Sequence, residues 1–264
     1  MKFEPDAYDA VLFDLDGTLY HEERPIPAAV ELVHRLRGRG TKVGFLTNST
    51  SSPARIAERL ARMDVRVDPQ FVYTAGAAAV DLAMNQFGPA ARIFNCSTDG
   101  VAEMLSDAGA VAVNEPDAPC DAIIVGAPYN GFATEERRRT ALYLLRGGAA
   151  LVGICADRIF PSARGMEFGA GALCAMLAYA ANVTPVFAGK PEPEFFTNLC
   201  KRLRADPARC VLLGDNLESD VAGARRVGMD TILVLTGVAT REDLLNIPDD
   251  KRPGRVVQDC FELM

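Results

Sequence analysis

Histidine is scarce in this chain: there are two, His21 and His34, in 264 residues. That excludes a histidine-rich metal centre and argues against a serine–histidine triad, because neither assembles without imidazoles. His34 falls in a helical stretch beside Arg35, where a solvated face accounts for it. Cysteine supplies no framework either. The seven thiols are odd in number and no two stand at C-x-x-C spacing. This argues against a disulfide scaffold or a structural zinc site and fits reduced thiols in a cytoplasmic protein. No apolar run reaches the roughly 18 residues of a membrane span. The first ten residues hold three acidic groups and Pro5, unlike the basic start of a signal peptide. Internal repeats and low-complexity segments are lacking as well; the short Gly76-Ala-Ala-Ala79 run fits inside a helix. Positive charge is in deficit, with a formal net charge of −7. No broad basic field is available for nucleic acid or an anionic membrane surface, and neither partner is expected. A small anionic substrate stays compatible, because a metal ion and one or two cations reverse the sign locally.

What is present is a globular composition, 49% hydrophobic and 24% charged, long enough for one large domain or a core with an inserted module. Short apolar runs alternate with helical patterns, the sign of βα units and a parallel sheet. Val11 to Leu15 reads as the first buried strand. A helix follows with Ala29, Leu32, Val33 and Leu36 on one face, and Val43 to Leu46 is the second strand. Ser52-Pro53 offers a cap and a first-turn proline for a helix carrying Ile56, Leu60 and Met63. Near the other end, Cys210 to Leu213 and Thr231 to Leu235 read as strands, with a helix from Val221 to Val227 between them. The middle has its own alternation. Strands are expected at Arg92 to Asn95, Val111 to Val113, Ala122 to Val125 and Ala150 to Ile154. Helices are expected to start near Gly76, Gly100 and Thr134, with another from Gly169 to Ala180. The expected organisation is a core from residues 1–74 and 185–264, with a second α/β module, residues 75–184, inserted between them.

The chemistry concentrates where strands end. In Phe13-Asp14-Leu15-Asp16-Gly17-Thr18, Asp14 interrupts an apolar strand, a costly place for a carboxylate unless it is paired. The carboxyl end of a parallel strand is where open α/β sheets bind ligands. Asp14 and Asp16 project to one side if the chain stays extended, and Gly17 lets it turn at once. Two carboxylates at one sheet edge suit a divalent cation with oxygen ligands. An Asp-Gly pair alone would be an ordinary turn; the full D-x-D-G-T after an apolar strand is a stronger signal. Thr47-Asn48-Ser49 ends the second strand, where a hydroxyl and backbone N–H groups could hold phosphate oxygens or cap a helix. Gly189-Lys190-Pro191 places a lysine where the chain bends into a helix. Gly214-Asp215-Asn216-Leu217-Glu218-Ser219-Asp220 ends a third strand with two acids. One of these could ligate a metal, and the other could hold its waters or orient the lysine.

On these residues the sequence resembles the haloacid dehalogenase-like superfamily, subclass IIA, the NagD-like phosphatases. Its four motifs match as Asp14-Leu-Asp16-Gly-Thr18, Thr47-Asn48, Lys190 in Gly-Lys-Pro-Glu-Pro193, and Gly214-Asp215-Asn216-Leu217 with Asp220. Ile26-Pro27, Gly169-Ala-Gly171-Ala-Leu173 and Leu235-Thr-Gly-Val238 with Arg241-Glu-Asp-Leu244 are similar too, so the resemblance covers essentially the whole chain. It implies an α/β fold: a Rossmann-like parallel-sheet core with an inserted α/β cap domain, the cap type that defines subclass IIA. It implies a phosphatase acting on a small phosphorylated metabolite through an aspartyl-phosphate. Asp14 would be the nucleophile and Asp16 the acid and base. Thr47, Asn48 and Lys190 would bind the phosphoryl oxygens. Asp14, the carbonyl of Asp16, and Asp215 would hold Mg²⁺, with Asn216 and Asp220 supporting it. Within the superfamily an Asp at position 16 separates ester hydrolysis from dehalogenation and from a retained phosphoenzyme. Transfer to another hydroxyl, or a binding role on the same fold, are the alternatives. Relatives often pair through the cap, which leaves a homodimer open to this chain.

The cap departs from the family pattern. Many relatives have Thr-Asn-x-Asp after the last cap strand, where this chain has Ile154-Cys155-Ala156-Asp157. Many have an Asp shortly after Val-Gly, where this chain has Gly126-Ala127-Pro128-Tyr129. Arg158 and Arg164 either face the leaving group and read an anionic substrate or are solvated arginines on a surface loop. Phosphoglycolate, nucleoside monophosphates, pyridoxal phosphate and sugar phosphates are all compatible with the core motifs.

Overall fold

The computed structural model describes residues 3–126, 134–162, 165–245 and 247–264. By its internal contacts the chain divides into two compact units. One comprises Met1–Thr47, Pro53–Tyr73 and Lys190–Met264, the other Asn48–Ser52 and Thr74–Gly189.

The first unit is built on a six-stranded sheet. Its strands in chain order are β1 (Ala10–Asp14), β4 (Lys42–Thr47), β5 (Val72–Thr74), β13 (Cys210–Gly214), β14 (Asp230–Val234) and β15 (Arg255–Val257), and a short hairpin of β2 (Tyr20–His21) and β3 (Arg24–Pro25) follows β1. The spatial order is β15-β14-β13-β1-β4-β5. The ladders of β1 with β13 and β4, and of β14 with β13 and β15, are parallel. Helices α1 (Pro27–Gly38), α2 (Pro53–Arg62), α7 (Pro193–Leu203) and α8 (Ala222–Arg226) belong to this unit. β1 is buried along its whole length, as expected of a central parallel strand. Val11 and Phe13 join Leu32, Val33 and Leu36 of α1 and Ile56 and Leu60 of α2 in one apolar cluster. The strand order reverses at β1, because the chain moves to β4 on one side and returns to β13 on the other. Such a switch point opens a crevice at the carboxyl ends of the strands.

The second unit has its own sheet. Its strands are β6 (Arg92–Cys96), β7 (Val111–Ala112), β8 (Ala122–Val125), β9 (Ala150–Gly153) and β12 (Val186–Phe187), in the spatial order β12-β9-β8-β6-β7. All four ladders are parallel. An antiparallel hairpin, β10 (Ile159–Ser162) with β11 (Gly165–Phe168), extends from it. The helices are α3 (Ala75–Phe87), α4 (Asp99–Asp107), α5 (Glu135–Arg146) and α6 (Ala170–Ala181). Thr74 and Thr134 cap α3 and α5 by accepting the N–H of Ala77 and Arg137, each taking up an amide that the helix leaves unpaired. Phe94, Ile123, Leu144 and Leu177 centre a separate apolar core.

The helix expected from Val221 to Val227 is present, with a turn before it that the sequence does not show. A π-helical turn, Leu217–Val221, precedes a five-residue α8. Among the described residues, no helix is long and apolar enough to cross a membrane.

Candidate active site

Asp14 is the last residue of β1, Asp215 follows the last residue of β13, and Lys190 precedes α7. The fold brings them together with Asp220, and all four are at most 5% exposed. Lys190 Nζ donates to Asp14 Oδ1 at 2.5 Å and to Asp220 Oδ1 at 2.6 Å. One oxygen from each of Asp14, Asp215 and Asp220 lies within 4.8 Å of the others. Three carboxylates thus share one ammonium, an excess of negative charge in a region with little water.

The titration shifts follow from that imbalance. Burial raises the Asp14 carboxyl well above its ordinary value; Lys190 opposes the shift, and the charges on Asp220 and Asp215 add to it. Burial and the Asp220 charge push Asp215 up to about 6. For Lys190, burial works against the ammonium, but Asp14 and Asp220 overcome it and hold the proton well above the usual lysine value. An all-oxygen set with surplus negative charge suits a hard divalent cation. Asp220 has both oxygens engaged, Oδ1 by Lys190 and Oδ2 by the Asn216 N–H at 3.1 Å. It therefore orients the lysine and supports the cluster, leaving Asp14 and Asp215 as the carboxylates freer to ligate. The Asn216 side chain is used locally: its Oδ1 accepts the N–H groups of Glu218 and Ser219 and starts the π-helical turn. That turn delivers Asp220 back toward β13.

Asp215 is held by a loop that the sequence motifs leave without a role. Val238 N–H donates to Asp215 Oδ2 at 2.6 Å, and Ala239 N–H donates to the Asp215 carbonyl at 2.9 Å. A Cβ at either Gly237 or Gly17 would collide with Asp215 Oδ2. Gly17 also has φ +81°, a conformation that side chains resist. The glycines of Asp16-Gly17 and Thr236-Gly237 thus make room for the same carboxylate, and Thr236 Oγ1 ties the two loops by donating to the Gly17 carbonyl at 2.6 Å. Their sequence signal is the Leu235-Thr-Gly-Val238 run, visible only as family likeness.

Asp16 lies past the strand end and is exposed. Protein crowding around its carboxyl raises it above the ordinary value, against the pull of Arg59 and Lys190. Tyr20 Oη lies 3.5 Å from Asp16 Oδ2. Thr47 is buried at the end of β4, one residue beyond the register partner of Asp14. Asn48 is grouped with the second unit, where its Nδ2 donates to Asp157 Oδ2 at 3.1 Å. In that unit Cys155 is buried, and burial followed by the nearby Asp157 charge raises its thiol well above the ordinary value. This is a packed, unreactive thiol. Arg158 is exposed between β9 and β10. Arg164 and Pro128 lie outside the described residues.

Residues 11–111 match a model described as haloacid dehalogenase-like hydrolase, and residues 187–263 match one described as HAD-hydrolase-like. The chain is 32% identical over 240 residues to an acid sugar phosphatase of Staphylococcus aureus, covering 90% of this chain and 91% of that one. A glycerol phosphate phosphatase of Mycobacterium tuberculosis in complex with magnesium superposes with TM-score 0.90 at 28% identity, covering 100% of this chain and 79% of that one. A p-nitrophenyl phosphatase of Archaeoglobus fulgidus gives TM-score 0.87 at 28% identity, covering 97% and 98%. The chain belongs to the haloacid dehalogenase-like hydrolases. Within them it is a NagD-like phosphatase by sequence and fold.

Proposed function

We propose that this protein hydrolyses small organic phosphate monoesters, sugar and polyol phosphates among them, with Mg²⁺ as cofactor and Asp14 as nucleophile. The observation that supports this most directly is the buried cluster in which Lys190 bridges Asp14 and Asp220 beside Asp215.

Phosphoryl transfer needs positioning and charge neutralisation more than bond-making groups. Asp14 attacks phosphorus with a carboxylate oxygen as the bond from phosphorus to the leaving oxygen breaks. Asp16 gives its proton to that oxygen, so the alcohol departs neutral. Asp16 then takes a proton from the water that attacks the aspartyl-phosphate. The Asp14 carboxylate is regenerated and inorganic phosphate is released. Lys190, the Thr47 hydroxyl and the Asn48 amide hold the phosphoryl oxygens and meet the charge that grows on them. Mg²⁺, when held by Asp14, Asp215 and the Asp16 carbonyl, supplies the positive charge that the cluster lacks. Asp220 takes no part in bond-making; it fixes the lysine. The cap chooses the alcohol, with Arg158 and Arg164 reading a further anionic group.

A screen of phosphate monoesters, with and without a chelator and beside Asp14→Asn, tests this reading. We expect turnover that the chelator removes and Asp14→Asn abolishes. Turnover that survives either change would refute the mechanism.

A further inference from the structure

Resting on the acid–base role of Asp16 given above, we propose that Tyr20 and Arg59 form a positioning pair for that carboxyl, matching the site to esters whose leaving oxygen needs a proton. The chain after β1 folds back tightly on itself. The N–H groups of Thr18, Leu19 and Tyr20 converge on the Leu15 carbonyl at 3.2, 2.8 and 3.1 Å, and Gly17 N–H donates to the Tyr20 carbonyl at 2.8 Å. Asp16 and Tyr20 thereby face each other as an isolated β-bridge. Tyr20 is 0% exposed, and a phenol hydroxyl so placed needs a partner inside the protein. Among the described residues that partner is Asp16 Oδ2, at 3.5 Å. The bond is long, as catalytic hydrogen bonds often are before substrate arrives. It engages Oδ2, so Oδ1 is the oxygen that the proposal gives to the substrate.

Arg59, on α2, lies over the ring of the same phenol. Its guanidinium lies 4.4 Å from the centroid of the Tyr20 ring. Its NH2 group donates to the Glu22 carbonyl and lies 3.7 Å from Glu23 Oε1, which clamps the turn that carries Tyr20. Its Nε is buried and has no hydrogen-bond partner among the described residues. A cation over an aromatic face holds the ring electrostatically and polarises its O–H. When Asp16 surrenders its proton to the leaving oxygen, a carboxylate forms beside that O–H donor and near that cation, and both favour it. In the second half-reaction the same two groups keep the carboxylate aimed as a base.

The test uses leaving groups of different basicity. An alkyl phosphate such as glycerol phosphate expels an alkoxide and depends on the acid. p-Nitrophenyl phosphate expels a stabilised phenolate and depends on it little. For each variant the reading is the ratio of kcat/KM on the alkyl ester to kcat/KM on the p-nitrophenyl ester. Asp16→Asn should collapse this ratio. Tyr20→Phe, which keeps the ring, should lower it by about tenfold or more, a part of the 10²–10⁴ range of a general acid. Arg59→Met should lower it too, and Arg59→Lys should restore part of the loss. Arg59 is partly exposed, with a side chain 24% accessible, so the arginine variants keep the test open should the phenylalanine variant fold poorly. An equal fall on both esters, or no fall on either, in Tyr20→Phe and Arg59→Met would overturn the proposal while leaving Asp16 in place. A ratio unmoved by Asp16→Asn would overturn the acid role itself.

Discussion

Lys190 is the residue on which the buried charges depend. Its ammonium pairs with the carboxylates of Asp14 and Asp220, and all three side chains are shielded from water. Removing one member of such a set leaves uncompensated charge, at a cost of about 3 kcal/mol or more. Lys190→Met should therefore lose that much stability in urea denaturation as well as its turnover. Asp215 makes a prediction with a sign. Unfolded, its carboxyl has the ordinary value of 3.8; folded, it titrates at about 6. Between those values the native state holds a proton that the unfolded state has released. Its contribution to stability therefore falls as pH rises through this window, by up to about 3 kcal/mol. The metal-free protein should lose melting temperature from pH 4 to 6 relative to Asp215→Asn, and Mg²⁺ should narrow that difference. Gly237 tests the room around the same carboxylate. Gly237→Ala would drive a methyl into Asp215 Oδ2, so Mg²⁺ affinity measured by calorimetry should drop by at least tenfold.

At the scale of elements, the segment from β13 through the π-helical turn to α8 sets the geometry of the site. Asn216 starts the turn by accepting two N–H groups through its side chain and donates its own N–H to Asp220. Asn216→Ala should cost about 1 kcal/mol in denaturant unfolding, the typical value of a lost cap. It should also weaken turnover, because Asp220 and Lys190 lose their frame. This element is the least legible in the sequence. Asp215 to Asp220 has no apolar face to give a period, so the pattern starts the helix at Val221, and only side-chain-to-backbone bonds show the turn before it. The buried parallel strands are readable, since β1, β8 and β13 each carry a continuous run of four apolar residues, at Ala10–Phe13, Ala122–Val125 and Cys210–Leu213. Short edge strands such as β12 and β15 have no such run to reveal them. At the site, Asp14, Asp16, Lys190, Asp215 and Asp220 stand out because carboxylates and a lysine at strand ends need a reason. Tyr20 and Arg59 do not, because a tyrosine after a turn and an arginine on a helix are ordinary until the fold joins them.

At the scale of the molecule, each unit closes its own apolar core, one around Phe13 and Phe45, the other around Phe94 and Ile123. The chain passes from one unit to the other between Thr47 and Asn48, between Ser52 and Pro53, between Tyr73 and Thr74, and between Gly189 and Lys190. Two of these passages fall beside residues assigned to the phosphoryl group. They have a further consequence, for how such a protein can be altered. Nearly all of the second unit is one uninterrupted stretch of sequence, Thr74–Gly189, and neither Asp14 nor Asp16 lies in it. It is a cassette. Replaced by the matching stretch of a relative, it should bring that relative's choice of alcohol with it, read as a changed ranking of kcat/KM across a panel of phosphate esters, while the same aspartates go on breaking the same bond.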